Sequence, residues 1–266
     1  MNSRVGEAAL LLKRADVVQL YHSIIDGMNT NHEKVALVTG ANRGLGKEIS
    51  QELCKKGYAV FMASRDIEKG REAVQELCGQ GYEALFLHLD VTDPVSVKNA
   101  YGAFSQKASH LDVLVNNAAI LEETDRHVSI CKLNIESLER TLKTNLIGPI
   151  MVIQNFLPFL EKGRTGARII NMTSDLGSLS HMQDSYPAYS LSKTALHAMT
   201  RQFSAALAGK NIAVNCVNPG WVQTSMGGEG ANRTPEKGAE TALWLATEAP
   251  LTETGKFWKD KREMPW

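Results

Sequence analysis

Val35-Ala36-Leu37-Val38-Thr39-Gly40-Ala41-Asn42-Arg43-Gly44-Leu45-Gly46 is the stretch on which the fold class turns. Val35–Thr39 is a short, nearly continuous apolar run, the pattern of a strand covered on both faces. Gly40 suits a tight turn, and Gly44 and Gly46 let backbone and ligand approach closely. A helical stretch follows at about residues 45–56. The glycines therefore stand at a helix N-terminus, where free N–H groups and the helix dipole favour an anion such as a pyrophosphate. The GxxxGxG spacing departs from the GxGxxG of many dinucleotide folds. Its position between a strand and a helix gives it meaning.

Outward from this loop, strand-like and helix-like segments alternate. Residues 58–64 and 84–89 read as strands separated by a charged helical pattern at 67–77. Residues 112–116, 167–173 and 212–217 continue the series. Apolar strands alternating with amphipathic helices indicate an α/β fold, a doubly wound parallel sheet with helices on both faces. No linker divides the chain, so residues 34–266 are expected to form one Rossmann-type domain. Residues 1–33 differ. Leu11, Val18, Tyr21, Ile25 and Met28 recur at spacings of three and four, as on an amphipathic helix. That extension either binds a partner or is an appendage, packed on its own domain or partly disordered. The short apolar stretch at 8–12, followed at once by Lys13 and Arg14, is not a signal peptide. Glu7, Asp16 and Asp26 argue against a transit peptide.

Composition removes whole classes of function. The 29 basic and 29 acidic residues cancel, so nothing global attracts nucleic acid. Hydrophobic residues at 43% and charged residues at 22% exclude a disordered chain or a collagen. No run approaches the roughly 18 apolar residues of a membrane span. Cys54, Cys78, Cys131 and Cys216 are too scattered for a CxxC pair or a zinc cluster. They read as reduced thiols, which points to a cytoplasmic protein. The histidines form no ligand motif, and no metal is expected.

The end of the second strand bears on cofactor type. An NAD site would place a carboxylate there for the ribose 2′-hydroxyl. Here Ser64 stands at that position and Arg65 follows, while Arg43 lies inside the glycine loop. Two guanidinium groups could meet a 2′-phosphate, which favours NADP(H). The alternative is that both arginines are solvated, with Asp66 neutralising Arg65. Further along, Tyr189 has Lys193 four residues later in a helical run at 187–207, which puts both on one helix face. Ser174 closes the strand at 167–173, on the edge that faces the ligand crevice of such sheets. Asn145 lies in a helix beginning near Glu136.

The glycine loop, Asn116-Asn117-Ala118-Ala119, Asn145, Ser174 and Tyr189-x-x-x-Lys193 occur in that order. In this combination the chain resembles the short-chain dehydrogenase/reductase family over about residues 34–258. The resemblance implies a sheet of about seven parallel strands and hydride transfer with NAD(P). It implies Tyr189 as acid/base and proton donor to the substrate carbonyl, with Ser174 hydrogen-bonded beside it. Lys193 would bind the nicotinamide ribose, and Asn145 would hold a relay water. Gly40, Asn42, Arg43, Gly44, Leu45 and Gly46 would hold the phosphates. Asp90 and Val91 match the adenine segment, and Asn117 and Ala118 the stretch beside the adenine ribose. Ala119 stands where glycine is usual. In Pro219-Gly220-Trp221-Val222-Gln223-Thr224, Val222 and Thr224 would contact the nicotinamide amide.

Within that family the chain is most similar to NADPH-dependent carbonyl reductases, through Ser64-Arg65-Asp66 and residues 219–226 and 234–241. The expectation is reduction of an aldehyde, ketone or quinone, a small-molecule carbonyl substrate. An NADP(H)-sensing regulator, or an enzyme of another alcohol/ketone pair, is the alternative. Only a short stretch separates Ser174 from Tyr189. The long insertion of monomeric animal members is missing, so neither their substrate preference nor their monomeric state transfers, and a homo-oligomer stays open. Within a substrate loop at about 221–234, residues 226–233, with Gly227, Gly228 and Gly230, are either a mobile substrate lid or a connector. Trp221, Leu179, Met182 and Tyr186 could line an apolar pocket or belong to the core. A free tyrosine titrates near ~10. A lysine charge at ~4 Å supplies roughly 4 kcal/mol at an effective dielectric near 20, enough to lower that value by about three units.

Overall fold

The computed structural model describes residues 32–266. All but the last two residues of the expected extension at 1–33 lie outside the described residues. The sheet runs β1 (Val35–Thr39), β2 (Ala59–Ser64), β3 (Ala84–His88), β4 (Val113–Asn116), β5 (Ala167–Met172), β6 (Ile212–Val217), β7 (Phe257–Lys259) and β8 (Arg262–Glu263). Their spatial order is β3-β2-β1-β4-β5-β6-β7-β8. Seven strands are parallel and β8 pairs antiparallel with β7. The α/β doubly wound expectation holds, and the two-residue β8 adds an eighth strand at the edge.

Around the sheet lie α1 (Gly44–Lys55), α2 (Ile67–Gly79), α3 (Pro94–Ser105), α4 (Ile135–Leu142), α5 (Gly148–Leu160), α6 (Pro187–Ala206) and α7 (Pro235–Thr247). No described helix is long and apolar enough to cross a membrane. Every residue of β1 is buried because both faces are covered. Val35 and Leu37 join one core with Phe61, Phe104 and Phe156, under α3, α5 and α6. Ala36 and Val38 join the other with Ile49, Val74 and Ala242, under α1, α2 and α7. A strand's alternation of side chains thus feeds two separate layers.

The first layer is centred on aromatic rings. Phe104 lies 4.4 Å from Phe61, centroid to centroid, and 5.3 Å from Phe156, at 80° to the latter. Phe104 has no solvent exposure. Phe104→Ala is therefore expected to cost about 3–5 kcal/mol, the range for a buried aromatic truncated to alanine. A urea melt followed by circular dichroism measures it.

Helix starts are built from side-chain caps. Asp66, Asp93, Asn134 and Thr234 each accept a backbone N–H in the first turn of α2, α3, α4 and α7. α1, α5 and α6 depart from this, and the uncapped starts of α1 and α6 lie at the site. The helix expected to run through Asn145 is also interrupted. α4 ends at Leu142, and a π-helical turn, Lys143–Ile147, leads into α5. Such turns recur at functional sites because they re-aim one side chain.

Candidate active site

Strand order reverses between β1 and β4, and a crevice opens there at the C-terminal ends of the strands. Its near wall is the loop from Gly40 to Gly46. Asn117, just past β4, shapes that loop. Its Nδ2 donates to the Thr39 carbonyl at 2.9 Å and the Gly40 carbonyl at 3.1 Å. Thr39 Oγ1 in turn accepts the N–H groups of Asn117 and Ala118, each at 3.0 Å. A Cβ on Gly46 would stand 2.4 Å from Asn117 Nδ2 and 2.5 Å from the Gly40 carbonyl oxygen, so only glycine fits. α1 begins at Gly44 from an extended Arg43 with no side-chain cap, and Gly44, Leu45 and Gly46 line the cleft. An uncapped first turn opening on a cleft can accept an anion.

Beyond the loop, Ser64 and Arg65 line the cleft with Arg43. Ser64 is buried, and its hydroxyl donates to the Asp66 carbonyl at 2.7 Å while accepting the Asp66 N–H at 3.1 Å. Its hydroxyl closes a turn at the rim of the cleft. Arg43 and Arg65 are both exposed. The Asp66 carboxylate is committed to α2, accepting the Lys69 N–H at 3.1 Å and lying 3.4 Å from Lys69 Nζ. The reading in which Asp66 neutralises Arg65 therefore does not hold. Asp90 binds the Thr92 N–H and hydroxyl at 2.9 and 2.8 Å. Burial pushes its carboxyl up. The Thr92 bonds, with the charges of Arg65 and Lys143, outweigh that and hold it below the usual range.

Tyr189 and Lys193 project from one face of α6 into the far end of the same cleft, 8% and 3% exposed. Lys193 Nζ lies 5.3 Å from the Tyr189 ring centroid and donates to the Met172 carbonyl at 2.8 Å. Burial pushes the Tyr189 phenol up to about 12. Burial pushes Lys193 down to about 8. The acidified phenol expected from the sequence is thus not what these residues produce by themselves. Desolvation raises the phenol, and the ammonium is turned to a strand-end carbonyl. One turn further along α6, His197 Nε2 lies 2.7 Å from Thr173 Oγ1. Burial, then the Lys193 charge, pushes His197 down to about 4, so it is neutral near pH 7.

The family model for short chain dehydrogenase matches residues 34–235, the span that carries this loop, cleft and helix. The chain belongs to the short-chain dehydrogenase family. It is an oxidoreductase by that membership. A carbonyl reductase (NADPH) 1 of Mus musculus is 31% identical over 87% of this chain and 98% of its own length. A 3-oxoacyl-acyl-carrier-protein reductase of Thermotoga maritima is 33% identical over 84% of this chain and 85% of its own. Among solved structures, an NADPH-bound carbonyl reductase from chicken fatty liver superposes with a TM-score of 0.80 at 30% identity. It covers 88% of this chain and 99% of its own.

In this short-chain dehydrogenase the cleft gathers Gly40, Asn42, Arg43, Gly44, Leu45, Gly46, Ser64, Arg65, Asp90, Val91, Asn117, Ala118, Tyr189, Lys193, Pro219 and Thr224. Asn145, Ser174, Gly220, Trp221 and Val222 do not line it. Asn145 is buried, with Nδ2 donating to the Ile120 carbonyl at 2.9 Å and to Ser192 Oγ at 3.1 Å, and Oδ1 accepting the Ile120 N–H at 2.8 Å. Both of its N–H donors are spent on fastening the post-β4 loop to α6, so neither is left for a relay water. Ser174 Oγ accepts the Leu176 N–H at 3.2 Å and makes no hydrogen bond to Tyr189 among the described residues. Its hydroxyl proton stays free to donate. Val222 is buried beneath the loop after β6 and bridges to Arg233, while Gly220 is turned by an N–H bond to Asn218. Trp221 is 55% exposed, its indole donating to the Gly227 carbonyl at 2.8 Å.

Thr144, Ile120 and Met172 line the cleft without having been expected, and Ser225 and Met226, from the stretch expected to be a substrate loop, line it with them. Asp125 was also missed. Its carboxylate accepts the N–H groups of Ala188 and Tyr189 at 3.0 and 2.9 Å. The signal was available, since a helix starting at Pro187 with no capping side chain on Tyr186 must take its cap from elsewhere.

Proposed function

We propose that this short-chain dehydrogenase reduces a small-molecule carbonyl compound (an aldehyde, ketone or quinone) to the alcohol with NADPH, Tyr189 delivering the proton. One observation carries the reading. Tyr189 and Lys193 share a buried helix face at one end of a cleft whose other end holds Arg43 and Arg65. The carbonyl reductase and NADPH-bound relatives support the same choice.

The residues present fit the cofactor. The first turn of α1 opens on the cleft with no side-chain cap, so its N–H groups are available to an anion. Gly40, Asn42, Gly44 and Leu45 would hold the pyrophosphate, and Arg43 and Arg65 a 2′-phosphate. Asp90, Val91, Asn117 and Ala118 would flank the adenosine, and Lys193 the second ribose, with Pro219 and Thr224 near the nicotinamide. When bound, NADPH supplies the hydride. Tyr189 is a phenol kept protonated by its surroundings, and a proton donor to a carbonyl oxygen must be protonated. Ser174, with its proton unspent, is the candidate second donor to that oxygen. Residues 221–234 form the substrate loop of a single domain over 34–266. This loop is tied at its neck, with Gln223 N–H on the Arg233 carbonyl and Arg233 N–H on the Trp221 carbonyl, at 2.8 and 3.0 Å.

The test is NADPH consumption against a panel of aldehydes, diketones, quinones and ketosteroids. Turnover of at least one class is expected, and a chain that binds NADPH yet oxidises it with none overturns the reading. The pH dependence has a definite sign. Tyr189 stays a proton donor up to about 12, whereas Lys193 is cationic only below about 8. Reduction is therefore expected to be level at acid to neutral pH and to fall as pH rises through about 8. Initial rates across a buffer series read this directly.

A further inference from the structure

One short turn reaches both walls of the site. Asp125 ends the 3-10 turn Glu123–Asp125 and is only 2% exposed. It spends both carboxylate oxygens on α6, Oδ1 on the Ala188 N–H and Oδ2 on the Tyr189 N–H. Arg126, the next residue, points to the substrate loop. Its Nη2 donates to the Met226 carbonyl at 2.9 Å, and its Nε to Glu123 Oε2 at 2.9 Å. Met226 lines the cleft that Tyr189 lines.

α6 needs this help. Tyr186, before its first residue, holds φ at 51°, a left-handed conformation unfavourable for a bulky side chain. Pro187 has no N–H to bond. The two N–H groups that follow are taken by one carboxylate, Tyr189's from 64 residues away in sequence. Without that acceptor, two buried donors are left unpaired at a strained helix start. The first turn carries Tyr189 itself.

We propose that Asp125 and Arg126 are paired positioning residues. Asp125 fixes the height and rotation of Tyr189, and Arg126 seats the loop that carries Met226 against the same substrate. The proposal rests on Tyr189 being the acid of the reading above. A displacement of about 1 Å at a reacting group can cost about 10²-fold in rate. Loss of the carboxylate should therefore appear in kcat, and loss of the guanidinium chiefly in the KM for the carbonyl.

The experiment measures kcat, carbonyl KM, NADPH Kd and the melting temperature of the full chain carrying Asp125→Asn, Asp125→Ala, Arg126→Lys or Arg126→Ala. Tyr189→Phe runs in parallel. Each rate is taken well below that variant's own melting temperature. Asp125→Ala is expected to lose about 10²-fold in kcat. Asp125→Asn, which keeps one acceptor oxygen, should lose less. NADPH Kd should be unaffected in both. Arg126→Ala should raise the carbonyl KM, and Arg126→Lys, with one donor able to reach the carbonyl, should recover part of it. Should Asp125→Ala prove unfolded, Asp125→Asn decides. A lowered melting temperature with wild-type kcat in the Asp125 variants would mean a helix cap and nothing more. An unmoved carbonyl KM in Arg126→Ala would likewise overturn the pairing. An active Tyr189→Phe would instead sink the acid assignment, whatever the other variants do.

Discussion

Tyr189→Phe is expected to lower carbonyl reduction by about 10²–10⁴-fold, the contribution of a positioned general acid, while NADPH binds as before. The substitution removes one oxygen and keeps the ring. That ring is almost wholly buried, and its hydroxyl makes no hydrogen bond to another described residue, so packing and stability should hardly change. Lys193 keeps its bond to the Met172 carbonyl in the variant, leaving the cofactor side of the cleft as it was. Fluorescence titration with NADPH and single-turnover mixing with a reactive diketone separate the two effects. Equal single-turnover rates in variant and parent would show that the proton reaches the carbonyl by another route.

The second large effect concerns cofactor choice. Arg43 and Arg65 lie at the cleft end nearest β2, both exposed, and the one carboxylate beside them in sequence is engaged by α2. A hydrogen bond to a charged group contributes about 1.5–3 kcal/mol. Removing both arginines is therefore expected to cost roughly 3–6 kcal/mol towards a 2′-phosphate, or about 10²–10⁴-fold. The double variant Arg43→Ala/Arg65→Ala should lose that factor in kcat/KM for NADPH and little for NADH, which lacks the phosphate. Because both guanidinium groups are solvated, the parent's preference should itself shrink at high ionic strength. An equal loss for both cofactors would mean that the arginines hold some feature the two dinucleotides share.

Most of the scaffold was legible because its determinants are local. Six strands announced themselves as apolar runs, and Tyr189 and Lys193 share a helix face by spacing alone. What escaped reading depends on distant partners or very short elements. β7 and β8 have three and two residues, too few for any periodicity to register. The π-helical turn at Lys143–Ile147 leaves no mark in a helical pattern, yet it sets where Asn145 points. Ser64 lines the cleft and its hydroxyl also closes its own turn, a local bond that the sequence does not announce. The phenol was expected to be acidified by its lysine. Burial of both groups reversed that, since desolvation depends on everything packed around a residue and not on its neighbour at i+4.

The clasp of Asn117 on Thr39 and Gly40 has a consequence for how the molecule comes apart. The turn at Gly40 holds its shape only while the end of β4 lies against the end of β1, with Val38 beside Val115. Any molecule that selects this turn therefore binds the zipped pair and not the separated strands. Its binding free energy adds to the work of prising the middle of the sheet open, and grows with its concentration. Occupancy of the cleft and integrity of the central strands are, in that sense, one equilibrium.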